Sequence, residues 1–341
     1  MIKQRLYRFD NIKFILIFLV VFGHMLEFTP GYTNTHDIYR IIYSFHMPVF
    51  IFVSGYFARF SPRKILTTYI WPYILLQTLY LAMVYYYLDP SLEKTFQYSQ
   101  AFWIMWYLPC MIGMHMAIPL FDTKNKGLRL LYLCIAVGVS LHCGFDSAIS
   151  IPFSASKILV FMPFFMLGYY AKTGISLKEL KKGWRILIFA VSAVLVLLCI
   201  VYIAKRDIIS YEMMLGQYNY QRSGLGATYR AILLGIALIW TTFFVSAPLL
   251  DKKIPIISSI GQYTFPIFVF HGFVLKFIAK NSLAFKFGGM PIVNSLLITI
   301  AVVLLFGNPW AQSFFKYCFT LEPLVSFVEK KKKKAETKEE K

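Results

Sequence analysis

Three side chains near the start of the chain have a spacing that suits chemistry. Read as one helix at 100° per residue, Lys13 precedes His24 by 11 residues, and the two point within about 20° of each other. Asp10 precedes His24 by 14 residues and lies about 40° away on the same side. One helix face therefore carries a carboxylate, an ammonium and an imidazole. About 16 Å of axial rise separates Lys13 from His24, and about 21 Å separates Asp10 from it. Asp10 thus cannot orient His24 as the aspartate of a catalytic triad orients its histidine. The two ends must serve different parts of something elongated, or different substrates. A long molecule with an anionic head fits: the head meets basic residues at one surface while the reactive end reaches His24. Acyl-coenzyme A has this shape. Arg59, Arg63 and Lys64 stand where they could meet its phosphates, or they could simply anchor a helix end to the membrane surface.

Two further histidines fall at a depth similar to His24. His46 lies near the outer end of a second apolar segment, and His271 lies in the outer half of a ninth. Ionisable residues inside apolar spans are costly and mark function by default. A single intramembrane histidine can also do no more than hydrogen-bond a neighbouring helix. That bland reading suits His115, in the inner half of the fourth segment, and His142, at the outer end of the fifth; His36 falls in an outer loop.

The elements that must position these groups are apolar helices. Hydrophobic residues make up 58% of the 341 residues, charged residues only 15%, and mean hydropathy is +0.61. Soluble domains run near 45–50% apolar and about 25% charged, so this chain carries more apolar surface than water tolerates. Segments near 12–28, 41–58, 66–88, 101–121, 127–145, 156–171, 184–204, 228–250, 257–279 and 291–307 read as spans. The expected fold is an all-α polytopic membrane bundle of about ten transmembrane helices. The segment 308–328 reads as an eleventh span or as a helix lying in the interface. The first span is too long for a cleaved signal peptide and no small-residue cleavage site follows it. The chain divides into a membrane domain, 1–328, and a basic tail, 329–341, expected to be disordered.

With ten spans both termini share one side, and the segments on that side hold about 24 of the 35 Lys and Arg residues, placing both termini in the cytoplasm. The net charge of +19 is then mostly topology and attraction to anionic lipid, with Lys330 to Lys334 near headgroups. Dispersal of the charge among membrane loops argues against nucleic acid as a partner. Cys110, Cys134, Cys143, Cys199 and Cys318 show no metal or disulfide spacing and read as small apolar fillers. No nucleotide-binding glycine loop and no HExxH motif is present, so an ATP-driven pump and a metalloprotease are both disfavoured.

Several stretches together resemble one family. Arg8-Phe9-Asp10-Asn11-Ile12-Lys13 leads into a helix ending Phe22-Gly23-His24, and the next span reads FHMPVFIFVSGYF from Phe45 to Phe57. Both are similar to membrane acyltransferase family 3, which contains bacterial polysaccharide O-acetyltransferases, and within it to the fucose 4-O-acetylase-like subgroup of capsule and exopolysaccharide loci. Arg63-Lys64-Ile65-Leu66 before Trp71-Pro72-Tyr73 fits the family pattern, as do Trp103 to Leu108, Phe164 to Tyr170, and Phe268-Val269-Phe270-His271-Gly272. The resemblance runs to about residue 305. It implies transfer of an acyl group, usually acetyl, from cytoplasmic acetyl-CoA to a hydroxyl of a cell-surface or lipid-linked glycan at the bacterial plasma membrane. It also implies His24 as the catalytic histidine. Many members carry Arg where this chain has Lys13; lysine keeps the charge but loses bidentate recognition. Some relatives carry an extracytoplasmic esterase-like domain, absent from this sequence, so the membrane domain is expected to finish the reaction or to hand over to a separate partner.

The expected mechanism follows. Acetyl-CoA docks with its phosphates near Lys13, Arg59, Arg63 and Lys64, with Asp10 pairing with Arg8, Lys13 or a base of another span to orient Lys13. His24 acts as general base on the acceptor hydroxyl. His46 or His271 binds the acceptor or stabilises the oxyanion. A two-step route could carry the acetyl on His24, Tyr56 or Tyr107. No metal is required. The rival reading is a transporter of glycans or small molecules. It leaves no special task for a base on the helix face of a cytoplasmic cation; a sensor or scaffold leaves the buried histidines without one either. Oligomeric state is not expressed in the sequence.

Overall fold

The computed structural model describes residues 5–28, 33–88, 97–146, 149, 152–172, 181–205, 214, 216, 219–224, 226–282 and 290–329. The expected tail lies outside the described residues except for Glu329. In chain order the main helices are α1 (Tyr7–Glu27), α2 (Thr33–Tyr43), α3 (His46–Phe57), α4 (Pro62–Leu88), α5 (Trp103–Phe121), α6 (Lys126–His142), α7 (Pro152–Ala171), α8 (Lys182–Lys205), α9 (Ala227–Ser246), α10 (Pro255–Ile260), α11 (Thr264–Lys280), α12 (Pro291–Phe306) and α13 (Pro309–Phe319). No strand occurs among the described residues. The protein is an all-α polytopic membrane bundle.

Among the described residues seven helices are long and apolar enough to cross a bilayer, the stretch His36–Phe57 through α2 and α3 counting as one, or eight if α12 and α13 form one span. Hydropathy alone reads about ten, and the difference rests on α6 and α11. Each has 17 residues, at the short limit for a span.

Local chemistry sets the breaks. Ser61 caps α4 by accepting from the Lys64 N–H, and Pro62 takes the first helical position, where its missing donor costs nothing. Ten residues on, Pro72 lacks an N–H and its ring crowds the carbonyl of Thr68, and the helix widens into a π turn over Ile65–Ile70. The segment 257–279, read as one span, is two helices with a turn at 261–263. Pro266 explains the break: it sits in the first turn of α11, where its missing N–H needs no partner, but in a helix running straight on from α10 its ring would crowd the Gln262 carbonyl. α12 and α13 meet at a 69° bend at Asn308–Pro309, where the Asn308 side chain accepts from the Ala311 N–H.

α1 runs through the centre. It touches α2, α3, α10, α11 and α12, and its apolar side chains Ile12, Leu16, Ile17 and Val21 are fully covered. α3 and α7 make the closest pairing, and two glycines allow it. A Cβ on Gly55 would stand 2.1 Å from the Phe165 carbonyl oxygen, and one on Gly168 would stand 2.0 Å from the Phe52 carbonyl oxygen. Backbones this close exclude any larger residue at either position. α8 is peripheral, with Leu187, Val191, Val194 and Leu198 exposed as lipid contacts.

Candidate active site

α1 supplies the first wall of the site. Residues 10, 13, 17, 20, 24 and 27 follow a 3–4 spacing and form one stripe along the helix. Four of them, Ile17, Val20, His24 and Glu27, line a cavity of about 290 Å³. The stripe continues past Ile17 to Lys13, one turn away, so the helix face inferred from spacing is the face that lines the cavity. Other walls come from Tyr43, from the start of α3 (His46, Met47, Phe50), from the start of α5 (Trp103, Trp106, Tyr107), from the start of α7 (Ser154, Lys157, Phe161) and from α11 (Thr264, Phe265, Phe268).

The histidines are wired by their backbone partners. His271 Nδ1 lies 2.9 Å from the Ile267 carbonyl, which can only accept, so Nδ1 carries the proton. In the neutral ring Nε2 is then an acceptor. His271 Nε2 lies 3.2 Å from His24 Nδ1, so His24 donates from Nδ1 and keeps an unprotonated Nε2. The pair is stacked, with ring centroids 5.3 Å apart. His271 is fully buried and stands behind His24, outside the cavity lining. His46 follows the same logic: Nδ1 donates to the Ile42 carbonyl at 2.7 Å, which leaves Nε2 as an acceptor. A neutral His46 in this state offers no N–H for an oxyanion. His115 donates to the Met111 carbonyl at 2.8 Å and packs between Tyr69 and Phe165, away from the cavity lining.

A carboxylate one turn beyond His24 fixes the surroundings. Glu27 accepts from the Tyr43 hydroxyl, from the Tyr39 hydroxyl at 3.3 Å and from Trp103 Nε1 at 3.1 Å. Tyr43 lies edge-on to both His24 and His46, at centroid distances of 6.0 and 4.7 Å, and Trp103 packs on His24 at 4.9 Å. Trp103 adopts a positive φ of 42°, and Phe153 and Ser154 have φ of 49° and 60°. These are costly angles for residues other than glycine. The two strained segments are tied together, the Phe153 N–H donating to the Ser99 carbonyl at 2.6 Å.

The basic residues expected for a phosphate head do not line the cavity. Asp10 bridges Arg5 at 2.7 Å and Lys13 at 3.0 Å. Arg8 pairs with Asp251, which also holds Arg185. Asn11 donates to the carbonyls of Leu250 and Lys252 and accepts from Ser258 at 2.6 Å, which pins the start of α1 to the 250–258 segment. Arg59 is exposed, Arg63 pairs with Glu329, and Lys64 is exposed over the Tyr69 ring at 5.9 Å. Of the two tyrosines named as acyl carriers, Tyr107 lines the cavity, and its hydroxyl donates to Ser54, whose own proton goes to the Phe50 carbonyl. Tyr56 lies off the cavity lining and packs on Phe9 at 4.2 Å.

A reading centred on histidine passes over Glu27 and Lys157. The signal was available, since each is a charge inside an apolar segment, which is the criterion that singles out His24. Among the described residues no group of three His, Cys, Asp or Glu converges to hold a metal ion.

A family model described as an acyltransferase domain matches residues 6–307, nearly the whole chain and all of the site just described. The chain belongs to acyltransferase family 3. It carries that family's acyltransferase domain in a multi-pass membrane bundle, built around a histidine-bearing cavity. A stretch of 55 residues is 47% identical to the nodulation protein NolL of Sinorhizobium fredii (strain NBRC 101917 / NGR234), covering 15% of this chain and 15% of that protein. So short a match speaks for kinship and leaves the substrates of the two proteins uncompared. No solved structure matches the chain.

Proposed function

We propose that this acyltransferase moves an acetyl group from cytoplasmic acetyl-CoA to a hydroxyl of a cell-surface or lipid-linked glycan, with both termini in the cytoplasm and the bundle in the cell membrane. The observation that carries the reading is the His24–His271 pair. In a neutral His24 ring this contact takes the proton at Nδ1 and leaves Nε2 as the basic nitrogen, on the helix stripe that lines the cavity, which supports His24 as the base. The acceptor hydroxyl gives its proton to Nε2 as its oxygen bonds to the thioester carbonyl carbon. Collapse of the tetrahedral intermediate breaks the C–S bond, and the departing thiolate takes the proton back from His24. The products are an acetyl ester and coenzyme A. His46, with Nε2 as an acceptor, serves as a second contact for a sugar hydroxyl. The aromatic walls Trp103 and Trp106 suit the apolar faces of a sugar ring.

At the other end of the stripe, Lys13, held by Asp10, meets the phosphate head together with Arg59, Arg63 and Lys64. The axial distance of about 16 Å between Lys13 and His24 leaves room for an extended pantetheine arm. Acetyl rather than a longer acyl group, and membership of the fucose 4-O-acetylase-like subgroup, rest on the resemblance of the motifs.

The test is transfer of label from acetyl-CoA in membranes carrying wild type or His24→Ala, with cell-envelope glycan as acceptor and matched expression. Label reaching glycan only with wild type supports the reading. Equal label in both removes His24 from the chemistry, and none in either, with a native acceptor present, removes the enzyme reading.

A further inference from the structure

Lys157 is the cavity residue that this mechanism leaves unused. It sits in the first turns of α7 with 5% of its surface exposed, in a segment apolar enough to cross the membrane. Among the described residues it forms no salt bridge. Its ammonium lies 4.3 Å from the Trp106 ring centroid, and this cation–π contact uses the charge without accepting any of its three N–H donors. Glu27, a carboxylate of the same cavity, already accepts from Tyr39, Tyr43 and Trp103. Apart from the histidines, Lys157 is the one basic side chain among the described lining residues. A buried lysine whose N–H donors are open and face a cavity is suited to hold an anion in that cavity.

We infer that Lys157 seats an oxyanion carried by the acyl acceptor, so that the acceptor is an acidic sugar bearing a carboxylate or a phosphoryl group. The inference rests on the acyltransferase reading for the direction from which each substrate comes. The donor cannot supply this anion. Its phosphates belong at the Lys13 end of the stripe, about 16 Å from His24 along α1. Lys157 instead lies by the start of α5, beside Trp106, one turn from the Trp103 that holds Glu27. The strained pair Phe153–Ser154, tied to Ser99, fixes the helix start that presents it.

The experiment is titration of the purified full-length protein in neutral detergent with D-glucuronate, glucose 1-phosphate and glucose, followed by tryptophan fluorescence. Trp103 and Trp106 report on the cavity. Wild type is expected to bind at least one anionic probe at least tenfold more tightly than glucose. Lys157→Met is expected to lose that preference, and Lys157→Arg to keep most of it. If one anion binds, it names the source; if both bind, the charge alone is read. A wild type without preference for either anion overturns the inference, as does a natively eluting Lys157→Met protein that keeps the preference. Because binding is read without turnover, failure of acetyl transfer with Lys157-dependent binding intact would sink the acetyltransferase reading and leave the anion site standing.

Discussion

His24 Nδ1 and His271 Nε2 lie 3.2 Å apart although 247 residues separate them in the chain. Since His271 Nδ1 is committed to a carbonyl, the contact has one direction, and it decides which nitrogen of His24 is basic. Removing the acceptor lets His24 take the other tautomer or turn. His271→Ala is expected to lower kcat for acetyl transfer by about 10- to 100-fold, less than the roughly 100- to 10,000-fold that general-base catalysis as a whole supplies. KM for acetyl-CoA should change little. His271→Gln, which can still accept through its side-chain oxygen, should recover part of the loss. Steady-state kinetics on the three proteins checks this, and a His271→Ala enzyme with wild-type kcat would count against the pairing as a positioning device.

Glu27 holds three aromatic residues at once, and two of them touch His24. Glu27→Ala strips the acceptor from three partly buried donors. Each unmet donor costs about 1–3 kcal/mol. The variant should melt at a lower temperature and lose tenfold or more in rate. Tyr39→Phe, which removes the longest of the three bonds, should be mild in both. A thermal melt in detergent beside the transfer assay separates the effects.

Lys13 lies between Asp10 and the cavity. If it meets the donor's phosphates, Lys13→Met should raise KM for acetyl-CoA about tenfold with a smaller change in kcat. Lys13→Arg should match or improve on wild type, because a guanidinium can bind phosphate through two N–H groups. A change confined to the acceptor's KM would assign Lys13 elsewhere.

Gly55 and Gly168 let α3 and α7 touch backbone to backbone, about one to two turns from Phe50 and Phe161, which line the cavity. Gly168→Ala must push the helices apart. Overpacking of this kind costs about 1–3 kcal/mol and occasionally more. Lower accumulation in membranes and a lower melting temperature are expected, with Gly55→Ala similar and Gly138→Ala, where an added Cβ meets nothing within 4 Å, close to wild type.

Much of the first helix was legible in the sequence. Period and hydropathy are local properties, so the face carrying Asp10, Lys13 and His24 follows from helix geometry alone, and α1 does run from Tyr7 to Glu27 without a break. The all-α membrane class follows from composition for a similar reason: a bilayer leaves an apolar chain few other ways to satisfy its backbone. The break before α11 was also written locally, in Pro266, but hydropathy is blind to it because proline interrupts a helix without making the segment less apolar.

Which side chains meet was decided by the tertiary structure. His271 could be placed at the depth of His24, yet its position behind that ring rather than in the cavity depends on how α11 packs against α1. Lys157 is marked in the sequence only as a charge inside an apolar segment, and it becomes a candidate when α5 brings Trp106 over it and no salt bridge among the described residues claims it. Asp10 had Arg8 as a neighbour in sequence, but Asp251 claims Arg8 and leaves Asp10 to Arg5 and Lys13. Spacing along one helix fixes direction and depth. Partners across helices depend on packing between segments distant in the chain, and no local pattern encodes that.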